Sequence, residues 1–325
     1  MQVKAIQFDK PGGPSVMKWR DVELGRPRKG EALVRHTAIG LNYIDTYHRS
    51  GLYPLPLPSG VGLEACGVVE KVGAGVDWVK PGDRVAYAGG PPGAYCEARI
   101  MPAHVLVKVP NGISDEQAAS MMLKGMTTEY LIRRTYRVKK GETVLFHAAA
   151  GGVGLIAGQW LKALGVNAIG TAGSKAKCDL AKRNGFADVI DYSKKDFVKE
   201  VARLTGKAGV PVVFDSVGKA TWEGSLACLA PRGMMVSFGN ASGAVDPVPP
   251  GALAAAGSIY LTRPTLMTYT ASRKDLEASA RALFSVVRKG DVKIHVNQSY
   301  ALKDAKRAHK DLESRQTTGS TILLP

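Results

Sequence analysis

Residues 143–154 have the sequence TVLFHAAAGGVG, in which a short apolar run is followed by a turn of alanines and glycines. The residues after it, 155–164, place apolar side chains at the spacing of a helix. Strand, tight turn and helix in this order form the opening unit of a dinucleotide-binding domain. Matched to the pattern G-x-G-x-x-G, the three small positions are Ala149, Gly151 and Gly154.

Each small residue of this turn has a physical task. Ala149 is predicted to make the tight turn, and Gly151 to let backbone N–H groups approach a pyrophosphate. Gly154 is predicted to let the helix lie close on the strand. Because the N-terminus of a helix carries partial positive charge, the same place attracts an anion. The pattern therefore predicts a dinucleotide site near the middle of the chain.

From about residue 126 the sequence alternates between predicted strands and helices. The strands are 167–171, 188–190, 210–215, 233–239 and 257–262, and the helices are 175–183, 194–205 and 220–229. This alternation predicts a doubly wound parallel sheet, with ligands bound at the carboxyl ends of its strands.

The first part of the chain has a different texture, with short strands punctuated by turns that are rich in glycine and proline. This pattern predicts a barrel-like antiparallel domain. The tail, with a long amphipathic helix at 274–289, resumes the mixed pattern of the first part. We therefore predict one domain from residues 1–125 and 266–325, with a sheet domain of residues 126–265 inserted into it.

The composition is that of a globular protein with an unusually basic balance. Hydrophobic residues make up 45% and charged residues 22%, which is ordinary for a globular chain. The 44 Lys and Arg exceed the 28 Asp and Glu, for a formal net charge of +16. Because the basic residues are scattered rather than clustered, a nucleic-acid surface is the less favoured interpretation, although RNA binding stays open.

Two further features bear on the compartment. The four cysteines lie far apart without C-x-x-C spacing, so we expect reduced structural thiols. The first residues contain no apolar signal core, so we expect a cytoplasmic protein. Residues 143–161 carry no charge and reach membrane-spanning length, but their four glycines and strand–helix pattern favour a globular segment.

The end of the second predicted strand distinguishes NAD from NADP. NAD sites usually place an acid about 20 residues into the unit, where it binds the ribose 2′-OH. Here residues 170–177 have the sequence GTAGSKAK, without an acid. Lysines, a serine and a helix N-terminus suit a 2′-phosphate, so we predict NADPH as the cofactor. The alternative is that Lys175 and Lys177 are merely solvated.

Four stretches together resemble the zinc-independent quinone oxidoreductases of the medium-chain dehydrogenase/reductase superfamily: NYID at 42–45, GVGLEACG at 60–67, PGDRV at 81–85 and AAAGGVG at 148–154. The resemblance extends to the tail and implies a GroES-like β-barrel catalytic domain, an inserted Rossmann domain and a homodimer. In zinc-containing relatives a Cys and the His of a Gly-His-Glu motif hold the metal. Here Asn42 or a neighbour and Leu63 stand there, so no metal is expected.

The resemblance also implies roles for individual residues. Those near the nicotinamide and the substrate are Asn42, Asp45, Tyr47, Tyr53, Lys124 and Thr127. Those that bind the cofactor are Ala149, Gly151, Gly152, Val153, Gly154, Gly173, Ser174, Lys177, Tyr192, Ser216, Phe238, Asn240 and Arg315.

Several of these residues have a simpler structural interpretation. Tyr47 and Tyr53 are predicted to lie in an exposed loop, where aromatic side chains often bind ligands. Asp45 is also a good turn or N-cap residue, and Phe238 a good core residue. His147 is predicted to be structural, with a role as proton donor as the alternative.

The predicted activity is reduction of quinones by NADPH without a metal. Tyrosines that stack on a planar acceptor favour quinones over aliphatic enals. Two other hypotheses stay open: a reductase of activated alkenes, such as enones or enoyl thioesters, and an NADPH-binding protein with a structural or RNA-binding role.

Overall fold

The structure, a computed structural model, describes residues 1–325. Its strands are β1 Gln2–Phe8, β2 Lys18–Glu23, β3 Glu31–Leu41, β4 Ser59–Gly60, β5 Glu64–Val72, β6 Arg84–Ala88, β7 Ala98–Pro102, β8 Val107–Lys108, β9 Thr143–Phe146, β10 Asn167–Ala172, β11 Asp188–Asp191, β12 Val210–Asp215, β13 Leu229–Ser237, β14 Tyr260–Thr262, β15 Val296–Ala301 and β16 Ser320–Leu324.

The helices are α1 Tyr43–Ser50, α2 Asp115–Tyr130, α3 Gly152–Ala163, α4 Lys175–Arg183, α5 Phe197–Leu204, α6 Trp222–Ala227, α7 Pro250–Ala255, α8 Leu266–Tyr269, α9 Arg273–Arg288 and α10 Ala305–Glu313. A π-helical turn, Leu131–Thr135, follows α2. The chain forms two compact units: residues 1–126, 270–288 and 294–325 make the first, and residues 127–269 and 289–293 the second.

The second unit is a six-stranded parallel sheet with the strand order β11-β10-β9-β12-β13-β14. Counted from β9, this is the order 3-2-1-4-5-6 of dinucleotide-binding sheets, so the predicted doubly wound sheet is confirmed. Its strands are apolar because both faces are covered, and its core contains Leu145, Ile169, Val213 and Met235.

The first unit contains two sheets. One has three strands in the order β2-β1-β4, and the other has seven, with β15-β16-β3-β5-β6-β8 in a row and β7 paired with β3. All pairs are antiparallel except β15 with β16. Since β16 pairs with β3 through residues 39–41, the tail returns to the first unit, and a barrel-like antiparallel architecture is confirmed.

Two helices interrupt the part of the chain that was expected to be strands and turns. The helix α1 begins after Asn42, whose backbone N–H donates to the Asp45 carboxylate, and ends at Gly51, which has a φ of +88°. The helix α2 follows Ser114, which exchanges hydrogen bonds with Gln117 in a second capping box. Both capping patterns are present in the sequence. The two helices could therefore have been predicted from it.

Two predicted helices are shorter than expected. The helix α5 starts at Phe197 instead of Lys194, because the Asp196 carboxylate accepts hydrogen bonds from the N–H groups of Val198 and Lys199. The helix α6 ends at Ala227, because the chain enters β13 at Leu229.

Candidate active site

The turn after β9 brings the alanine–glycine segment to the carboxyl end of the sheet. The Ala148 backbone is left-handed, with a φ of +55°, and its carbonyl accepts a 2.9 Å hydrogen bond from the N–H of Gly151. The N–H of Ala149 donates to the carbonyl of Thr171 on β10. The tight turn was predicted at Ala149, but the left-handed residue is Ala148, one position earlier. Ala149 instead ties the turn to β10.

The helix α3 begins at this turn, so its N-terminus lies at the carboxyl end of β9. Its N-cap, Gly151, offers no side-chain cap, so the N–H groups of Gly152, Val153 and Gly154 have no acceptor within the helix. A Cβ on Gly154 would lie 2.5 Å from the Ala148 oxygen, so only glycine permits this packing. Free N–H groups at a helix N-terminus fit a pyrophosphate.

The carboxyl end of β10 forms the neighbouring part of the site. Ser174 is the N-cap of α4, where its Oγ accepts a 3.4 Å hydrogen bond from the N–H of Lys177. A Cβ on Gly173 would lie 2.6 Å from the Tyr192 hydroxyl, so the Tyr192 side chain extends over Gly173. Lys175, the other lysine, is occupied by Asp179 at 2.8 Å.

Asp179, the first acidic residue after β10, is therefore already paired with Lys175. Asp191 accepts hydrogen bonds from the backbone and hydroxyl of Ser193. Residues 170–177 at the end of β10 contain no carboxylate for a ribose 2′-OH, and the half-buried Lys177 lies beside Ser174. This donor set fits a 2′-phosphate better than a free 2′-OH.

The ends of β12 and β13 bring together three more predicted cofactor residues. The N–H of Phe238 donates to the Asp215 carbonyl, and the carbonyl of Ser216 accepts from Ala241, next to Asn240. The half-buried ring of Phe238 packs on Phe146 at 5.8 Å between ring centroids. Phe238 therefore has a packing role whatever it binds.

His147 lies in a buried network that joins three strand ends. Its Nδ1 is 2.8 Å from the Thr171 hydroxyl, and its Nε2 is 3.0 Å from the Ser225 hydroxyl, which donates to Asp215. Burial lowers the pKa of His147, which favours the neutral ring. The structural interpretation of this residue is therefore better supported than a role as proton donor.

In the first unit, Asn42 and Lys124 meet on one buried carboxylate. Asn42 Nδ2 donates to Glu64 Oε2 at 2.7 Å, Lys124 Nζ lies 3.3 Å from the same oxygen, and the N–H of Leu123 donates to Oε1. Glu64 is fully buried. Because a buried carboxylate needs this number of donors, the Glu64 cluster holds Asn42 and Lys124 in place.

Asp45 lies at the start of α1 and is also fully buried. Its Oδ2 accepts hydrogen bonds from the N–H of Asn42 at 2.9 Å and from the Tyr95 hydroxyl at 2.8 Å. Burial raises the pKa of Asp45 to about 7, although both hydrogen bonds and the charge of Lys124 oppose the increase. Asp45 was predicted as a turn or N-cap residue, but it is the third residue of α1 and binds back to the N-cap, Asn42.

The tyrosines differ from the expectation of an exposed loop. Tyr47 is on α1 and only 8% exposed, because its ring packs edge-on against Tyr53 at 5.1 Å and against Tyr43 at 5.6 Å. Only Tyr53 lies outside the helix, where its N–H donates to the Tyr47 carbonyl. The prediction of an exposed loop was wrong for Tyr47, since the helix turns its ring inward.

Two predicted residues belong to a different compact unit from the rest of their group. Thr127, grouped with the substrate residues, is the first residue of the second unit and is buried. Arg315, grouped with the cofactor residues, belongs to the first unit, where it follows α10 with a φ of +59°.

Potential metal ligands are dispersed. No three His, Cys, Asp or Glu side chains gather where they could bind one metal ion. Leu63 offers no ligand atom, and the Glu64 carboxylate is bound by three donors. These residues do not fit a catalytic zinc. The four cysteines are free and buried, as predicted. No helix combines the length and the apolarity that crossing a membrane requires.

Two sequence profiles match the chain. The GroES-like domain of alcohol dehydrogenases matches residues 28–111, and the zinc-binding dehydrogenase domain matches residues 152–285. A quinone oxidoreductase of Pseudomonas aeruginosa is 55% identical over 323 residues, which cover 99% of both chains. The chain belongs to the quinone oxidoreductase family of the medium-chain dehydrogenases/reductases. Membership confirms the predicted pairing of a GroES-like domain with a Rossmann domain.

Two other members of the superfamily are informative. The crystal structure of Escherichia coli quinone oxidoreductase complexed with NADPH superposes with a TM-score of 0.98 at 50% identity, and the match covers 99% of this chain and 100% of that chain. A 2-haloacrylate reductase from a Burkholderia species is 43% identical over 99% of both chains. The family thus includes relatives named for different acceptors.

Sequence reasoning missed several buried partners of the predicted residues. Glu64, Tyr95, Arg49 and His309 were not singled out. The hydroxyl of Tyr95 lies 3.0 Å from His309 Nε2, although 214 positions separate the two residues. No local spacing signals such a pair. The capping pattern from Asn42 to Asp45 was the only sequence signal pointing to this region.

Proposed function

We propose that this protein reduces quinones with NADPH and without a metal. The observation that carries the proposal is the 55% identity over 99% of both chains to a quinone oxidoreductase, because the residues described above lie inside that match. The open N-terminus of α3 and the acid-free end of β10 support NADPH as the cofactor.

In this proposal the second unit holds NADPH. The turn from Ala149 to Gly154 binds the pyrophosphate through Gly151, Gly152 and Val153. The adenosine phosphate is bound by Gly173, Ser174, Lys177 and Tyr192, and the rest of the cofactor by Ser216, Phe238 and Asn240.

The first unit supplies the residues around the acceptor. NADPH provides the hydride, so the protein has to orient the acceptor, exclude water and supply a proton. The half-buried Tyr53, whose ring packs on the buried ring of Tyr47, offers an aromatic surface to a planar quinone. Asn42 and Lys124, held by Glu64, supply donors for the negative charge that develops on the quinone oxygen. Asp45 accepts the hydrogen bond from the N–H of Asn42 that fixes the start of α1.

The experiment is a cofactor-oxidation assay on the purified protein with NADPH and a panel of benzoquinones and naphthoquinones. We expect quinone-dependent loss of NADPH absorbance and formation of hydroquinone, with NADH a poorer donor. Absence of oxidation above background with every quinone would contradict the proposal.

A second candidate function is reduction of activated alkenes. It is favoured by the 43% identity to a 2-haloacrylate reductase over 99% of both chains. The two functions differ in their products, because alkene reduction forms a new C–H bond and leaves a saturated carbonyl compound. Mass spectrometry of products from a quinone and from an acrylate decides between them.

We also propose that the protein is a homodimer of the cytoplasm. Tyr260 and Leu261 on the edge strand β14 are 62% and 37% exposed, and an apolar edge strand readily pairs with another chain. The four free, buried thiols are typical of a reducing compartment. Fractionation of expressing cells, with the protein in the cytoplasmic fraction, tests the compartment.

A further inference from the structure

A line of four buried side chains crosses the carboxyl end of the parallel sheet in the second unit. Thr171 near the end of β10, His147 directly after β9 and Asp215 at the end of β12 come from three neighbouring strands. Ser225 from α6 lies between His147 and Asp215. Each of these four residues is at most 1% exposed. We call them the strand-end network.

The direction of each hydrogen bond in this network follows from Asp215. Four donors point at its carboxylate, among them the Ser225 hydroxyl at 2.8 Å from Oδ2. Because the Ser225 hydroxyl donates there, its oxygen accepts from His147 Nε2 at 3.0 Å. Burial lowers the pKa of His147, so the ring is neutral with its proton on Nε2. His147 Nδ1 is then the acceptor for the Thr171 hydroxyl at 2.8 Å.

One end of the strand-end network is tied to the turn that follows β9. The Thr171 carbonyl accepts a 3.0 Å hydrogen bond from the N–H of Ala149. His147 directly precedes Ala148, whose φ of +55° begins the turn. The side chain of Thr171 therefore binds the residue before the turn, and its backbone binds a residue within the turn.

The other end of the network is tied to the segment after β12. Asp215 Oδ1 accepts hydrogen bonds from the N–H groups of Val217 and Gly218 at 2.7 Å and 3.0 Å. The Asp215 carbonyl accepts a 2.7 Å hydrogen bond from the N–H of Phe238. Asp215 thus holds the backbone on both sides of Ser216 as well as the end of β13.

The ring of His147 also packs edge-on against Phe197, with 5.1 Å between the ring centroids. An aromatic ring without nitrogens could make this contact equally well. It could not accept from Thr171 or donate to Ser225, and both hydroxyl groups would lose a buried partner. Packing alone therefore does not account for a histidine at this position.

We propose that His147 is a positioning residue for NADPH, which sets the turn after β9 and the Ser216 segment relative to each other through Thr171 and Asp215. The inference rests on the proposed function, in which both segments bind the cofactor. Because its side chain is 1% exposed, His147 acts through the backbone of these segments. Backbone N–H groups that are fixed before NADPH arrives reduce the loss of freedom on binding.

The first test compares His147→Phe, which keeps the ring against Phe197, with His36→Phe. His36 is a matched control, because it is a buried histidine of the first unit with 2.8 Å to the Cys96 carbonyl and 3.0 Å to the Tyr87 hydroxyl. In His147→Phe we expect the Kd of NADPH and of NADH to rise by the same factor of about ten, since both contain the pyrophosphate. His36→Phe should leave both values within about twofold of wild type. Fluorescence titration measures them.

A double-mutant cycle separates positioning from a general loss of stability. Thr171→Val keeps the shape of the side chain, removes the donor to His147 Nδ1 and should raise the Kd of NADPH by about fivefold. If the two residues act as one network, the double variant should lose about tenfold, instead of the roughly 50-fold of independent effects. Losses that multiply, or a similar loss of affinity in His36→Phe, would overturn the inference.

Hydrogen exchange of the protein without cofactor gives a readout that does not depend on catalysis. The amide of Ala149 should exchange at least about tenfold faster in His147→Phe than in wild type, because its acceptor strand is no longer held. If wild type binds NADPH and reduces no quinone, the proposed function fails and the cycle still tests His147. Unchanged exchange at Ala149, an unchanged Kd in His147→Phe, or a wild type that does not bind NADPH would overturn the inference.

Discussion

Gly154 lies so close to Ala148 that a Cβ on Gly154 would come within 2.5 Å of the Ala148 carbonyl oxygen. The same atom would lie 2.6 Å from the carbonyl oxygen of Ala149. Both contacts are with backbone, which cannot rotate away. The position of α3 and the direction of its free N–H groups therefore depend on glycine at residue 154, because any larger side chain would collide with this backbone.

The first prediction follows from this contact. Gly154→Ala should push α3 away from the turn and raise the Kd of NADPH at least about tenfold, which corresponds to ~1.4 kcal/mol. A fluorescence titration with NADPH measures the change. Gly251→Ala at the start of α7 is the control, because a Cβ there meets nothing within 4 Å. Equal affinity in both variants would contradict the proposed pyrophosphate cradle.

Cofactor preference gives the second prediction. Lys177→Ala should raise the Kd of NADPH by about 10-fold to 100-fold, since a charge-assisted hydrogen bond to phosphate contributes about 1.5–3 kcal/mol. The Kd of NADH should hardly change. Lys175→Ala is the matched control, because Lys175 is bound to Asp179 and its side chain is 80% exposed. Equal losses for both cofactors in Lys177→Ala would rule out a role in 2′-phosphate recognition.

The third prediction concerns the buried guanidinium of Arg49. Glu313→Gln removes its counter-charge and should lower the free energy of unfolding by about 2 kcal/mol, because Arg49 would remain buried without an anion. Glu70→Gln is the comparison, since the Arg35–Glu70 pair has the same 2.5 Å length but a 45% exposed arginine. Glu70→Gln should lower the free energy of unfolding by less than about 1 kcal/mol. Urea unfolding of both variants checks the difference, and similar losses would contradict it.

The fourth prediction concerns stability between pH 4 and pH 6.5. Burial lowers the pKa values of His36 and His309 to about 3. The contribution of the two neutral rings to the free energy of unfolding is therefore present above pH 6.5 and is lost as the pH falls toward 3. Asp45 acts in the opposite direction, because its pKa is raised from 3.8 to about 7. The contribution of Asp45 to the free energy of unfolding is fully present below pH 3.8 and is lost as the pH rises through about 7.

Asp45→Asn should therefore steepen the increase of unfolding free energy with pH in this window, by up to about 1.4 kcal/mol per pH unit. Urea midpoints of wild type and variant at pH 4.5, 5.5 and 6.5 provide the measurement. Parallel curves would mean that the Asp45 pKa is close to its ordinary value.

The fifth prediction tests the proposed dimer. Tyr260→Lys places a charge on the edge strand β14 and should shift the protein from dimer to monomer in light scattering after size-exclusion chromatography. Trp19→Lys on β2 is the control, because Trp19 is a 39% exposed aromatic residue on a strand of the first unit. A dimer that survives Tyr260→Lys unchanged would place the interface elsewhere.

Local sequence patterns were sufficient for much of the second unit. The strand β12 and the helix α4 have the predicted bounds, because buried parallel strands are continuous apolar runs and helices repeat their apolar positions every three to four residues. The capping residue Ser174 and the absence of an acid at 170–177 are equally local features. Fold class and cofactor type could thus be predicted without the structure.

The first unit was harder to predict, because its strands pair over long separations and its two helices interrupt a β-rich stretch. Tyr47 was expected in a loop, and its inward orientation follows from the helix that begins at Asn42. A capping pattern stands at Ser114 and Gln117 in the sequence, but the prediction did not use it.

By itself, the sequence determined the alternation of strands and helices in the second unit, the small residues of the turn at 148–154 and the lack of zinc ligands at Asn42 and Leu63, since each depends on residues that are neighbours in the chain. Only the tertiary structure decided which buried groups share hydrogen bonds. Tyr95 and His309 meet because the segment before β7 and the helix α10 pack around the same core. Burial, which no local pattern encodes, then sets the protonation of Asp45.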